Sequence, residues 1–332
     1  MKRILPAILA IAAIASCSKS EVTDINTDNP NAIKFDTYTN KVTKAADVIT
    51  AADLQAAGGF YVYFTIHAAA FSASTAIAPE MTKLPVTSVD AGVNWTYPGI
   101  HYWPAGQKES FFAYDNANDV NLTWTPSWTK GAPTFSYICA ATGGAQKDLL
   151  VSSAIDRTNS AALTFKHALS RINFAAKSDL PGTYAKITSI TLTGVKTTAT
   201  YTYSTLNNGA GTWSAPVTEM AGLVYPIDAT TQIAYSADTY EKTFQGANAS
   251  LMLIPISVSD VTLTVIYNLY STVGDALIDG PVTKTATIGG WVIGTNYLYN
   301  LNLTASGSLT PIVFSVTVDT WGAETESGPS LN

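Results

Sequence analysis

The sequence predicts an all-β protein built from β-sandwiches. From residue 32 onward, short runs of β-branched and aromatic residues alternate with polar residues, and clusters of Gly, Pro, Asn and Asp separate the runs. Helical patterns are few, and the best of them covers residues 44–57, which are rich in alanine. Strands at short, regular spacing with almost no helices between them favour sandwiches over α/β units.

Most of the clearest strand patterns lie in the second half of the chain. In the last of them Ile312, Phe314, Val316 and Val318 share one face, and polar residues occupy the other. One face of each such strand should therefore be buried and the other wet. The strongest runs are residues 60–64, 187–192, 251–255, 261–267, 297–303 and 312–318.

The first residues predict export and lipid anchoring. Lys2 and Arg3 precede an apolar run over residues 4–14, the layout of a secretory signal. The run is too short for a spanning helix, which needs about 20 residues. Small residues lead into Cys17, as in a bacterial lipobox, so residues 1–17 are interpreted as a lipoprotein signal with lipid on Cys17. The alternative is an ordinary signal peptide that happens to contain a cysteine.

The rest of the chain divides into a tether and two predicted domains. Residues 18–31 are polar and rich in turn formers, which is typical of a flexible linker. Residues 32–35 resemble residues 171–174, and each segment is followed by a second apolar strand. This weak repeat predicts one β-sandwich domain over 32–160 and another over 161–332.

The residues that could carry chemistry do not form a recognisable catalytic motif. His67, His101 and His167 lie in separate segments, and the sequence has no metalloprotease, nucleophile-elbow or phosphate-loop motif. We predict no enzyme activity, no cofactor and no metal site, although a triad of residues scattered in sequence stays open. Cys139 stands in an apolar stretch and is expected to be a buried, unreactive thiol.

Charge, an acidic stretch and an aromatic cluster indicate which kinds of ligand the chain could bind. A net charge of −6 argues against nucleic acid. Residues 115–119 alternate oxygen-bearing side chains as a calcium loop would, but Ala117 takes a ligand position, so a turn is favoured.

An aromatic cluster could stack on sugars or fill a core. Its members are Trp95, Tyr97, His101, Tyr102 and Trp103, with Trp124 and Trp128 further on.

Several segments together resemble the fimbrillin family, the subunits of type V pili of anaerobic Gram-negative bacteria. They are Tyr102-Trp103-Pro104 with residues 111–114, then residues 163–174, residues 187–195, and the ending from residue 294 to Trp321. The resemblance implies two tandem transthyretin-like β-sandwich domains and a lipoprotein precursor exposed on the outer membrane. It also implies polymerisation by strand exchange, in which proteolysis removes the first strand and a neighbouring subunit refills the groove.

The resemblance points to particular residues for this exchange. Ile33 and Phe35 would be the core-facing residues of the lost strand, and Ile312, Phe314, Val316 and Val318 those of a strand donated to the next subunit. The same C-terminal strand could instead complete its own domain. Family subunits are commonly cut after an arginine, but none lies between Arg3 and Arg157, so Lys41 and Lys44 become the candidate processing sites.

Two functions therefore follow from the sequence. The first is a structural or adhesive subunit of a cell-surface fimbria, with other fimbrial subunits, the outer membrane, and surface glycans or proteins as partners. The alternative is an outer-membrane glycan-binding lipoprotein. A glycan binder should expose several coplanar rings on one face, whereas a fimbrial subunit should bury most of its rings and present an apolar groove shaped for a strand.

Overall fold

The computed structural model describes residues 32–39, 51–75, 79–123, 130–306 and 315–320. The first half of the described chain contains eight strands and one α-helix, α1, over Ala51–Ala56. The strands are β1 (Phe35–Thr39), β2 (Phe60–His67), β3 (Pro79–Val86), β4 (Lys108–Asp115), β5 (Leu122–Thr123), β6 (Thr134–Ile138), β7 (Leu150–Arg157) and β8 (Ala161–His167).

The second half is built from strands alone, apart from its loops. These are β9 (Ser170–Ser178), β10 (Thr183–Thr193), β11 (Lys196–Thr202), β12 (Thr212–Trp213), β13 (Val217–Glu219), β14 (Leu223–Val224), β15 (Ile233–Ala234), β16 (Leu251–Leu253), β17 (Val261–Ser271), β18 (Leu277–Ile288), β19 (Thr295–Leu303) and β20 (Ser315–Thr320). Two 3₁₀ turns, Asn116–Asn121 and Gly143–Ala145, complete the described elements.

Four sheets result. The first sheet has the order β1-β8-β7-β4-β2-β3, and the second has the order β12-β11-β6-β5, with β13 also paired to β11. The third sheet has the order β14-β10-β17-β18, with β15 on β10, and the fourth has the order β16-β9-β19-β20. The all-β fold class predicted from the sequence is confirmed.

The period-two pattern explains which faces are buried. In β17, Val261, Leu263 and Val265 are completely buried, whereas Thr262 and Thr264, between them, are not. The same alternation in β19 turns Leu301 and Leu303 inward. These residues lie in the apolar core between the third and fourth sheets, where the Tyr267 hydroxyl donates to the carbonyl of Thr304, the residue after β19.

The first sheet is covered on both faces. On one face Tyr114 packs against Phe135 of the second sheet, and Tyr203 donates a hydrogen bond from its hydroxyl to the Ala113 carbonyl. On the other face, Phe60, Val62 and their neighbours form an N-terminal core with β1, with Leu54 of α1 and with the loop that follows β3. Both faces of this sheet are therefore apolar.

The pairing crosses the domain boundary that the sequence suggested at residue 160. Residues 161–167 form β8, which pairs with β1 and β7, and Ala161, Leu163 and Phe165 belong to the N-terminal core. The first sheet therefore extends to His167. Strands β11 to β13 likewise return to the second sheet beside β6. The four-residue repeat on which the predicted boundary rested carries no information about a hairpin between β7 and β8. The division into two transthyretin-like domains stays a prediction.

The helical pattern over residues 44–57 is represented by α1, whose Leu54 is buried against the first sheet. The part of the pattern up to residue 50 lies outside the described residues. Among the residues that the structure covers, no helix combines the length and the apolar character needed to cross a membrane.

Candidate strand-exchange site

The first strand lies at an edge of the first sheet. Strand β1 runs parallel to β8, with Phe35 opposite Ala161 and Thr39 opposite Phe165. Just before β1, Ala32 forms an antiparallel bridge with Tyr102. The segment 32–39 thus lies between β8 and the loop around residue 102, at the position where a strand could be withdrawn without dividing the sheet.

Ile33 and Phe35 anchor this segment in the N-terminal core. Ile33 is 1% exposed and Phe35 is 4% exposed, whereas Lys34 between them faces solvent. The Phe35 ring meets Tyr97 at 5.5 Å, Phe111 at 5.7 Å and Phe60 at 6.2 Å between centroids, each edge to face. Such pairs favour a fixed ring position. Both side chains therefore occupy the core-facing positions that their alternation predicts.

Hydrogen bonds fix the register of the segment. The Ile33 amide donates to the His101 carbonyl at 2.9 Å, and the Tyr97 hydroxyl donates to the Ile33 carbonyl at 2.7 Å. The Trp95 indole N–H donates to Thr37 Oγ1 at 2.9 Å. Burial raises the pKa of Tyr97, so its hydroxyl stays protonated and remains a donor.

Removal of residues 32–39 would leave a groove with a defined chemistry. Its walls would carry the aromatic rings that now enclose Phe35 and Ile33, and its rim would carry the free edge of β8. We call this the acceptor groove and define it by Phe60, Trp95, Tyr97, Phe111, Phe165 and β8. An apolar floor beside an unpaired strand edge is suited to bind another strand with alternating apolar residues.

Two members of the aromatic cluster noted in the sequence, Trp95 and Tyr97, line this groove. Trp95 and Tyr97 are buried, and the ring of the partly buried Trp103 packs against Phe111 at 5.8 Å. Tyr102 is 50% exposed. In the sequence, the cluster and the first strand are separate features. Only the fold brings them together, because they are about 60 residues apart along the chain.

The C-terminal strand lies at an edge of the fourth sheet. Strand β20 is antiparallel to β19, with Ser315 opposite Asn300 and Thr320 opposite Thr295. The backbone of Val316 lies opposite Tyr299, and that of Val318 opposite Tyr297. In the single chain this strand therefore completes its own sheet, as the alternative interpretation allows, and its donation to another subunit stays a prediction.

Several predicted site residues lie outside the described residues. They are the lipid-attachment residue Cys17, the processing candidates Lys41 and Lys44, the strand residues Ile312 and Phe314, and the tryptophans Trp124 and Trp128.

One group of side chains resembles a catalytic triad in composition. His67 Nε2 lies 2.8 Å from Ser110 Oγ, and His67 Nδ1 lies 3.8 Å from a carboxylate oxygen of Asp156. However, His67 Nδ1 is only 2.7 Å from the Ala69 carbonyl, so the carbonyl and not Asp156 orients the ring. Ser110 is completely buried in β4, and its Oγ also accepts the Asp156 amide at 3.2 Å. A substrate could not reach this hydroxyl, and we assign the group a structural role.

The acidic stretch after β4 forms a hydrogen-bonded turn. Asp115 accepts the Leu150 amide at 2.7 Å and the Asn118 side-chain amide at 3.0 Å. Burial raises the pKa of Asp115 to about 7, and the nearby Asp148 adds to the effect. Asp148 in turn lies 2.5 Å from His167. Within the described ranges, no cluster of three or more acidic, His or Cys side chains has a geometry suited to a metal ion.

Cys139 is buried as the sequence predicted. Its sulfur lies 3.3 Å from the Met252 carbonyl and 3.1 Å from the Gln146 side-chain amide. Burial raises the pKa of the thiol to about 12, so the reactive thiolate form is negligible at neutral pH.

The fold and the site together define an all-β sandwich protein in which an edge strand fills an aromatic groove. A model of the family described as fimbrillin-like matches residues 43–321, which is most of the sequence. The chain belongs to the fimbrillin-like family. The family resemblance seen in the sequence is thereby confirmed.

Individual relatives agree with this assignment. The chain is 26% identical over 233 residues to the fimbrium subunit Fim1C of Phocaeicola vulgatus, an alignment that covers 63% of this chain and 60% of that protein. A crystal structure of a fimbrial protein from Bacteroides vulgatus superposes with a TM-score of 0.66 at 20% identity, over 88% of this chain and 99% of that one. The structural likeness supports the fold alone.

Proposed function

We propose that this chain is a structural or adhesive subunit of a cell-surface fimbria and that it joins neighbouring subunits by strand exchange at the acceptor groove. Membership in the fimbrillin-like family supports the fimbrial role. The observation that carries the exchange mechanism is the position of the segment 32–39. Its strand, β1, lies at an edge of the first sheet, and its residues Ile33 and Phe35 are buried apolar anchors.

The physical reason for exchange is the state of the groove once β1 has left. Burial of Ile33 and Phe35 stabilises the fold by roughly 1.5 to 3 kcal/mol for each side chain. The unpaired amides and carbonyls of β8 add a further cost if they are left without partners. A neighbouring strand that restores both contributions would bind strongly. The alternation of its apolar side chains would determine which strand fits the groove.

Most of the residues with roles in anchoring, processing and donation lie outside the described structure. Cys17 would carry the lipid that places the precursor on the outer membrane, and Lys41 and Lys44 would be the sites where a trypsin-like protease separates β1 from the rest of the chain. The C-terminal strand, with Ile312, Phe314, Val316 and Val318, would be the donor. The partners would be other fimbrial subunits and, for an adhesive role, surface glycans or proteins.

The alternative of a glycan-binding outer-membrane lipoprotein has less support. A sugar platform needs several exposed, coplanar rings. Trp95 and Tyr97 are buried instead, and Trp103 packs on the core, which leaves Tyr102 as the well-exposed ring in the described part of the cluster. This is the arrangement expected of a fimbrial subunit. We therefore favour the structural role.

Two experiments test the proposal. Electron microscopy of the bacterial surface with an antibody against this chain should label filaments, and label confined to the cell envelope would contradict a shaft role. Replacing Lys41 and Lys44 with Gln should abolish the ladder of polymers on denaturing gels if cleavage occurs there. A matched variant with Lys130 and Lys147 replaced by Gln removes two exposed lysines elsewhere and should keep the ladder.

A further inference from the structure

Strand β8, which pairs with β1, pairs over only part of its length with β7, its partner in the hairpin. Strands β7 and β8 are consecutive, yet their pairing is limited to Leu150 with His167 and Val151 with Lys166. These pairs lie at the end of the hairpin far from its turn. Residues 161–165 of β8, which pair with β1 on one edge, therefore do not pair in register with β7 on the other.

The loop between β11 and β12 takes the place of that missing pairing. The Asn208 amide donates to the Ser153 carbonyl at 2.9 Å, and the Ile155 amide donates to Asn207 Oδ1 at 3.1 Å. Groups two residues apart in a strand point to the same edge. Since β4 occupies the other edge of β7, the loop binds the edge that faces β8.

The same loop also contacts β8. The Lys166 ammonium group donates to the Asn208 carbonyl. Asn208 has a φ of +51°, a conformation that asparagine tolerates better than most residues. It is followed by Gly209, whose amide donates to the Leu206 carbonyl at 2.9 Å, and a Cβ at Gly209 would lie 2.0 Å from Ser204 Oγ. The loop is therefore a compact turn with little freedom to shift.

We propose that the loop over residues 204–209 is a wedge that positions β8 as the edge that receives the exchanged strand, with Asn207 as its key positioning residue. The wedge holds β7 on one side and Lys166 of β8 on the other, at the level where β7 and β8 stop pairing. Strand β8 then keeps its outer edge straight whether β1, a donated strand or no strand is bound. This inference rests on the proposed exchange function and assigns part of its specificity to residues far away in sequence.

The test uses the full mature chain with a recognition sequence for a site-specific protease placed within residues 40–50. After cutting, β1 remains bound by its contacts alone. The release of a fluorescently labelled β1 segment is then followed in an excess of unlabelled peptide with the sequence of residues 32–39. Asn207→Ala removes the acceptor for the Ile155 amide and should speed release by about fivefold to tenfold, the effect of one lost hydrogen bond.

Two variants distinguish positioning from a general loss of stability. Asn207→Asp keeps an oxygen acceptor and should release β1 within about twofold of the wild-type rate. Asn302→Ala removes an amide that accepts the Tyr240 hydroxyl at 3.0 Å in the fourth sheet, and it should lower the melting temperature without changing release. Release at the wild-type rate from the Asn207→Ala protein would overturn the wedge.

Hydrogen exchange separates this inference from the proposed function. The amides of Leu163 and Phe165 in β8 should exchange faster in Asn207→Ala than in the wild type, with β1 still bound. Unchanged protection there would also overturn the wedge. If the cut wild-type protein never exchanges its strand while β8 protection falls in the variant, the wedge stands and the exchange function fails.

Discussion

Truncation of Phe35 to alanine measures how strongly the acceptor groove holds its strand. The ring is almost completely buried and touches three other aromatic rings edge to face. Loss of a buried phenylalanine side chain costs roughly 3 to 5 kcal/mol, of which each aromatic pair accounts for about 0.5 to 1.5 kcal/mol. Domains have a stability of about 5 to 15 kcal/mol, so the Phe35→Ala protein should remain folded but lose a large part of its margin.

Chemical denaturation followed by far-UV circular dichroism measures this loss. Lys34→Ala is the matched control, because Lys34 is the exposed neighbour of Phe35 just before the same strand, and its truncation should change the free energy of unfolding by less than about 0.5 kcal/mol. If Phe35→Ala lowers the free energy of unfolding by less than about 1 kcal/mol, with an unchanged denaturant slope, the packing described for Phe35 in the acceptor groove is wrong.

Three further predictions concern anchoring, acidity and the C-terminal strand. Cys17→Ser should abolish incorporation of labelled palmitate, and continued labelling with retention in the outer membrane would contradict the lipobox interpretation. The pKa of Asp115 is raised from 3.8 to about 7 in the folded chain, so its stabilising contribution is full below about pH 4 and is lost as the pH rises to 7, by roughly 4 kcal/mol. Asp115→Asn should remove that fall, which the difference in unfolding free energy between variant and wild type at pH 4 and pH 8 measures; equal falls in both proteins would contradict it. Deletion of all residues after Pro311 should leave a cooperative melting transition near that of the full chain if the strand is donated, whereas loss of the transition would show that the fold of the single chain depends on β20.

The alternation of residues along the chain was sufficient to predict the faces of the strands. Val261 to Leu269 and Tyr297 to Leu303 bury every second residue, because a strand turns successive side chains to opposite sides whatever its neighbours are. The same rule identified Ile33 and Phe35 as core-facing residues. The family, too, was recognisable from short segments in a particular order.

What each strand pairs with was decided only in the tertiary structure. Nothing local distinguishes β8 as a partner of β1, or joins Trp95 and Tyr97 to a strand about 60 residues earlier. Asn207 carried no signal at all, since its hydrogen bond to Ile155 depends on how the loop after β11 packs on the first sheet. A period of two specifies which face of a strand is apolar, but edge-to-edge pairing is made by backbone groups that every residue carries, so the choice of neighbour depends on the packing of the whole chain.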